Sequence, residues 1–409
     1  MRRTAAAPDA EEETMGKLTP QEFKTHLEKL RAFVEGPCEE MQSEIEVTNK
    51  FPQKFYDLCN EHGIYRMSLP EEYGGWGLNE LEILKCQEEF SRGPGGMRMH
   101  MHFAQDLNWR PLYDYGSEEL KAELMPKFQD KSIFSAWCLT EATGGTGADL
   151  HTTAVKDENG DYILNGEKWL ISFTDMNTHS YIHAVTDPDA DPDHRLSTFY
   201  VPVDTPGYEV TPMPHMMGCR GAGHTGLKFT NMRVPKKYLL GKEGQGMEIA
   251  MHSLAVSRVH IAASNLGMAQ RMLEISLARA ADRITFGKPI LSRQAIKMKI
   301  ANMQMYIHAL RTMVYDFCKD YMAEPNGAYI AEKAACCMLF SIDTTRLVSD
   351  EMLEIFGGDG YFEDNPFGPV ERLYRDCRAM WLEEGAPTVQ RITIARDCIK
   401  HGGQMAYRD

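Results

Sequence analysis

Apolar residues recur at helical spacing through the first third of the chain. Phe23, Leu27, Leu30 and Phe33 fall three or four apart, and Phe55, Leu58 and Cys59 repeat the pattern; such stripes are what one face of a helix buries. Short breaks come at Pro52, at Pro70, through Tyr73-Gly74-Gly75-Trp76-Gly77 and at Arg92-Gly93-Pro94-Gly95-Gly96. From Ser135 the period shortens. Thr152 to Val155 and Tyr162 to Leu164 flank Asn159-Gly160, a hairpin turn signal. Thr198 to Val201 and Gly226 to Phe229 add strands, with Pro202, Pro206, Pro212 and Pro214 between them. Long helical periods return after Gly244: Met247 to Ile261, continued by Gln270 to Arg283, then Ser292 to Asp320 and Tyr329 to Leu353. These read as a four-helix bundle. The expectation is an α+β protein: a disordered tail over 1–16, a helical domain over 17–134, a β domain over 135–243 and a helical bundle over 244–409.

Composition narrows the class. A chain of 409 residues, 43% of them hydrophobic, can build two or three cores. A net charge of −15 argues against nucleic acid and anionic membrane surfaces as partners. The ten cysteines form no CxxC pair, which reads as buried thiols in a reducing compartment. Met1 to Met15 carries two arginines, no apolar core and Glu11-Glu12-Glu13, so neither a secretory signal nor an acid-poor transit peptide is expected and the location is read as cytoplasmic. No apolar run reaches the length of a membrane span.

Candidate chemistry gathers near the C-terminus. Asp376-Cys377-Arg378-Ala379-Met380-Trp381-Leu382-Glu383-Glu384-Gly385 ends an aromatic, apolar stretch with two carboxylates. A carboxylate against an apolar wall loses hydration and becomes a stronger base, which is what removing a proton beside a thioester carbonyl requires. An acidic turn in solvent, ahead of a helix from Thr388 to Lys400, fits the same ten residues.

Four further segments stand in order with this one: Trp137-Cys138-Leu139-Thr140-Glu141-Ala142, Asn165 to Ser172, Arg283-Ile284-Thr285-Phe286-Gly287-Lys288, and Ile355 to Gly360. From about Phe51 to about Lys400 the chain thereby resembles the acyl-CoA dehydrogenase family. The resemblance implies FAD-dependent dehydrogenation of an acyl-CoA to a 2-enoyl-CoA, with Glu384, not Glu383, as catalytic base. Its own backbone N–H would then bond the thioester oxygen. It implies a flavin site from Trp137, Leu139, Thr140, Ile171 and Ser172. Arg283, Phe286, Gln294, Gly357 and Gly358 would serve the FAD of a neighbouring subunit, in a homotetramer built as a dimer of dimers. Arg258 and Gly385 would contact substrate, and an electron-transfer flavoprotein would take the electrons. The residue types suit this: Thr140 and Ser172 offer hydroxyls, Trp137 and Trp169 offer walls for a flat ring. Two departures stand out. Ala386-Pro387 follow Glu384-Gly385 where the family has threonine and a polar residue, and Leu170 holds the place of an aromatic.

The stretch Met97 to Glu119 resembles the glutaryl-CoA dehydrogenase branch, which places Arg98 and His102 where a distal substrate carboxylate would bind. Arg98, His102 and Gln105 lie at i, i+4 and i+7, on one face of an unbroken helix. A glutaryl-like or substituted succinyl-like thioester is therefore expected; the bland alternative pairs Arg98 with an acidic residue of this chain. An acyl-CoA oxidase, a flavin monooxygenase or a non-catalytic flavin- or acyl-CoA-binding scaffold remain alternatives. No metal site is expected, since His100 and His102 point to opposite sides of a helix. Gly221-Ala222-Gly223-His224-Thr225-Gly226 matches a dinucleotide spelling, but Leu227 to Thr230 alternate like a strand where a helix is required. Asp187 to Asp193 lacks the glycine and closing glutamate of a calcium loop.

Overall fold

A computed structural model describes residues 18–144 and 149–403; the tail expected over 1–16 lies outside the described residues. The N-terminal domain holds α1 (Pro20–Glu35), α2 (Pro37–Thr48), α3 (Gln53–Glu61), α4 (Glu80–Phe90), α5 (Gly95–His102), α6 (Asn108–Tyr115) and α7 (Glu118–Leu124). Helix α1 starts on a capping box, Thr19 with Glu22. Its buried stripe of Phe23, Leu30, Phe33 and Val34 packs into a core with Phe55, Cys59 and Phe90.

Helix α5 does not continue as the spacing predicts. Phe103–Leu107 is a π-helical segment, and Gln105 leaves helical geometry at φ −83°, ψ −134°. Such segments are frequent at functional sites. Arg98 and His102 keep their helical spacing within α5, and only Gln105 leaves their face. Gln105 donates to the Ile64 carbonyl at 2.9 Å.

The middle domain is an eight-stranded sheet. Its strands are β1 (Ser135–Cys138), β2 (Thr153–Lys156), β3 (Tyr162–Ile171), β4 (His179–Val185), β5 (Leu196–Pro202), β6 (Tyr208–Thr211), β7 (Thr225–Val234) and β8 (Leu239–Leu240). Their order is β6-β7-β3-β2-β4-β5-β8, with β1 parallel to β4. The hairpin at Asn159-Gly160 forms as the sequence predicts, β2 against β3, with Gly160 at φ +83°. A register break between Lys168 and Ile171 bulges β3 against β7, and Leu170 adopts φ +56°. The bulge turns Trp169 and Leu170 outward, where they are 40% and 50% exposed. Strand β7 begins at Thr225, inside the Gly221–Gly226 run, where a dinucleotide site would need a helix.

The C-terminal domain contains α8 (Gly246–Asp282), a small hairpin of β9 (Ile284–Thr285) and β10 (Lys288–Pro289), α9 (Gln294–Ala323), α10 (Ile330–Phe356), α11 (Val370–Ala379) and α12 (Pro387–Lys400). The two segments expected after Gly244 are one 37-residue helix. Its buried face, including Val259, Ile261, Leu266 and Met272, packs with Ile307, Leu310, Met338 and Met352 from α9 and α10. All ten cysteines are free, nine of them buried or half-buried. Among the described residues no helix is long and apolar enough to cross a membrane.

Candidate active site

Asp376 fixes the C-terminal motif where the three domains meet. Its carboxylate accepts from the Gly95 N–H, in the first turn of α5, at 2.9 Å and from the Cys219 N–H at 2.7 Å. One buried side chain of α11 thus ties down the helical domain and the β domain together. Beyond it, Trp381 donates from Nε1 to Thr345 Oγ1 of α10 at 3.1 Å.

Between α11 and α12 the chain turns sharply, with Glu384 at φ +55° and Gly385 at φ +103°. A glutamate in the left-handed region costs on the order of 1 kcal/mol or more and needs its surroundings to hold it. Gln390 of α12 donates from Nε2 to the Glu384 carbonyl at 3.0 Å and to the Gly385 carbonyl at 3.2 Å. Arg258 of α8 donates from Nε to the same Glu384 carbonyl at 3.2 Å. The resemblance implies substrate contacts for Arg258 and Gly385; in the structure both belong to the contacts that hold the Glu384 turn.

The Glu384 carboxylate is divided. Oε1 accepts from Ser257 Oγ at 2.8 Å, whereas Oε2 is enclosed with no protein partner. Burial raises the Glu384 pKa to about 7, against the lowering effect of Ser257 and Arg258. This environment fits the desolvated base and excludes the solvated acidic turn.

Glu383 is not in solvent either. It receives the fully buried Arg98 in a two-point pair, Nη2 to Oε1 at 3.0 Å and Nη1 to Oε2 at 3.2 Å. The cation expected to meet a substrate carboxylate is already met by this chain. His102 likewise bonds Ser257, Nε2 to Oγ at 2.8 Å, so it joins the hydrogen-bond network of Glu384. Burial holds its pKa well below the ordinary imidazole range. His100 bonds Tyr65 at 2.9 Å, on the other side of α5.

The segments proposed for flavin come together. The Trp169 N–H donates to the Thr140 carbonyl at 2.9 Å, aligning Thr140 with the bulge that exposes Trp169 and Leu170. Behind them the buried Lys168 pairs with Glu141 at 2.9 Å and donates to the Leu139 carbonyl at 3.1 Å. Glu141 also accepts from the N–H groups of His151 and Thr152. Ile171 is buried, and Ser172 bonds His224 Nε2 at 3.1 Å. Trp137 packs on Tyr181 and His183, with ring centroids at 5.5 and 4.7 Å. Trp137 Nε1 and His224 Nδ1 are enclosed without protein partners. An exposed apolar ledge with half-buried hydroxyls and unspent polar atoms fits a flat aromatic group with hydrogen-bonding edges.

The second set lies far along the C-terminal domain. Arg283 caps α8, Phe286 sits at the tip of the β9–β10 hairpin, and Gln294 opens α9. All three are exposed, Phe286 to 96%. Gly357 and Gly358 follow α10 and present bare backbone to solvent.

Ser257, His224 and Gln390 were not singled out from the sequence as site residues. Ser257 adjoins Arg258, and His224 lies inside the glycine run considered only as a nucleotide motif. No local pattern marks Gln390.

A three-domain chain with a desolvated carboxylate at the domain junction defines a class that known proteins make specific. The acyl-CoA dehydrogenase N-terminal domain matches residues 20–132, the middle domain 136–232 and the C-terminal domain 244–399. The chain belongs to the acyl-CoA dehydrogenase family, and is a flavin-dependent oxidoreductase of that family. It is 33% identical over 353 residues to an acyl-CoA dehydrogenase of Bacillus subtilis, covering 86% of this chain and 91% of the relative. Butyryl-CoA dehydrogenase from Megasphaera elsdenii superposes with a TM-score of 0.87 at 28% identity, covering 93% of this chain and 99% of that one. A glutaryl-CoA dehydrogenase in complex with glutaryl-CoA superposes with 0.85 at 26% identity, covering 96% and 98%. The two scores do not single out the glutaryl branch.

Proposed function

We propose that this chain binds FAD and oxidises an acyl-CoA thioester at its α and β carbons, with Glu384 as the base. The observation that carries the reading is the split carboxylate: Oε1 held by Ser257, Oε2 enclosed and unspent, at a pKa near 7. Near neutral pH such a group is about half ionised, and its ionised form is a stronger base than an ordinary glutamate. Each unit of pKa is about 1.4 kcal/mol of proton affinity. Oε2 removes the α-proton while the backbone N–H of Glu384 bonds the thioester oxygen. Bound flavin supplies the acceptor for the β-hydride. Thr140 and Ser172 would hold its edge, and Trp169 and Leu170 would wall its ring.

Arg283, Phe286, Gln294, Gly357 and Gly358 would serve FAD in a neighbouring subunit of a homotetramer. Exposed apolar side chains on this domain, Phe286, Met298, Met305, Tyr361 and Phe362, support such assembly. The electrons would pass to an electron-transfer flavoprotein. Arg98 supports a distal carboxylate on the substrate, but Glu383 would have to release it first. An uncharged acyl chain needs no such exchange and is the better fit.

The visible spectrum of the purified protein, followed by anaerobic titration with butyryl-, octanoyl- and glutaryl-CoA, tests the reading. A flavin spectrum bleached by an acyl-CoA is expected, with slow recovery in air. Bound flavin that none of the thioesters bleaches would leave a scaffold, and rapid recovery in air would make the enzyme an oxidase.

A further inference from the structure

Helix α8 carries four serines, and one behaves unlike the rest. Ser253, Ser264 and Ser276 donate from Oγ to the carbonyl four residues back, at 2.9, 2.8 and 2.6 Å, the usual outlet for a serine inside a helix. Ser257 does not. Its hydroxyl donates to Glu384 Oε1 at 2.8 Å, across the junction to the turn between α11 and α12. A second group meets the same serine oxygen: His102 Nε2 of α5, also at 2.8 Å. Ser257 and His102 are both buried.

The hydrogens on this contact follow from valence. Ser257 has one hydrogen, and an ionised carboxylate can only accept. The serine hydrogen therefore lies toward Glu384, and the hydrogen between His102 and Ser257 belongs to His102 Nε2. The ring has only one to give. Burial keeps it neutral, and the charges of His260 and Arg98 push the same way. Its Nδ1 is then bare, and that atom is enclosed with no protein partner.

We infer that His102 is a positioning residue for the base: its Nε2–H, given to Ser257 Oγ, holds the serine hydrogen on Glu384 Oε1 and leaves Oε2 as the oxygen that takes the α-proton. The inference rests on Glu384 being the base. Without that N–H the Ser253 carbonyl competes for the Ser257 hydrogen, as the equivalent carbonyl does at the other three serines. Glu384 then loses a donor that lowers its pKa.

The charges around the contact come from several elements. Arg258 and His260 of α8 lower the Glu384 pKa, and Glu383 on its own turn raises it. The His260 ring stands behind His102, with centroids 5.6 Å apart and planes at 32°. Its Nε2 lies 2.9 Å from Glu80 Oε1 of α4. The π-helical segment brings Asp106 to the same place, with ligand atoms of Glu80, Asp106 and His260 all within 4.8 Å of one another. Arg110 of α6 pairs with Asp106 at 2.8 Å. Burial works against it, yet Glu80 and Asp106 keep the His260 pKa raised. A cation held behind His102 disfavours a second proton on the His102 ring, so the Nε2–H form persists.

The titration of Glu384 tests this in two ways on the full chain. One is the pH limb of flavin reduction by butyryl-CoA and octanoyl-CoA. The other is the pH dependence of urea unfolding, compared with the same protein carrying Glu384→Gln, which needs neither flavin nor substrate. In Ser257→Ala the titration should move up by about one pH unit, a tenfold change in ionisation. His102→Leu should move it equally, although the serine remains. The double variant should move it no further than either single one, because both act through one hydrogen bond. His102→Gln, which restores an N–H at about the reach of Nε2, should return it toward the wild-type position. A packing role alone would lower Tm in His102→Leu and leave the titration in place. That result, additive shifts in the double variant, or an unmoved titration in Ser257→Ala overturns the inference. A Glu384→Gln protein that still reduces its flavin overturns the assignment of the base instead, while the unfolding comparison still judges the hydrogen bond.

Discussion

The Arg98 guanidinium and the Glu383 carboxylate face each other in a two-point ion pair, 3.0 and 3.2 Å long, immediately beside the residue assigned as base. Arg98 is fully buried, so its partner is not dispensable. Glu383→Gln should cost about 3 kcal/mol of stability, the lower range for stranding a buried charge, read as a drop in Tm. Its effect on flavin reduction should be far smaller than that of Glu384→Gln. A dead Glu383→Gln enzyme of normal Tm would move the base by one residue.

Glu384→Gln should keep FAD and bind acyl-CoA, yet lose flavin reduction by at least about 10²-fold in rapid mixing. In wild type kcat/KM should rise with pH through a limb near 7, where the carboxyl ionises. The same shift acts on stability. The folded state holds the proton between the ordinary carboxylate range and about 7, so stability should fall as pH rises through that window. The loss is about 3 kcal/mol in all. Urea unfolding of Glu384→Gln should lack this slope; an identical slope in both proteins would mean the carboxyl titrates normally.

Arg98→Gln separates the two substrate readings. Freed of its cation, Glu383 should push the Glu384 pKa higher still, since it already acts in that direction. Glutaryl- and butyryl-CoA should then lose kcat/KM alike. A loss confined to glutaryl-CoA, about 30-fold or more, would mean that a substrate carboxylate displaces Glu383.

Lys168 and Glu141 form a pair with almost no exposure, and each holds a segment proposed to carry flavin. Lys168→Met should destabilise the protein by about 3–5 kcal/mol and loosen FAD. Equilibrium dialysis should show weaker retention even at temperatures where circular dichroism is unchanged. Full retention would mean the bulge at Trp169 is fixed by other contacts.

Local pattern carried the domain plan, because helical and strand periods differ and Pro and Gly mark their ends. It failed at Gln105, where the polar spacing is helical but the backbone is not; what the π-helical segment achieves is tertiary, bringing Asp106 to Glu80. It also failed to say who neutralises Arg98, since Glu383 lies 285 residues away in the chain. The burial of the Glu384 carboxylate was legible because its motif ends an aromatic, apolar stretch. Ser257 and Gln390 were not, because a hydroxyl or an amide gains its role only from the loop it meets.

Helix α8 runs unbroken from Gly246 to Asp282, and this rod sets a distance. At 1.5 Å per residue, about 39 Å separates Ser257, which bonds Glu384, from Arg283 at the far end. One chain cannot bring both ends to the same flavin. If Arg283 serves a flavin, that flavin lies against another copy's base, and every site is assembled from two gene products. Defects at the two ends should then complement each other. In a mixed dimer of Glu384→Gln and Arg283→Ala chains, one site inherits both lesions and the other inherits neither. Two inactive proteins, dissociated and reassembled together, should recover up to about a quarter of wild-type activity by random pairing.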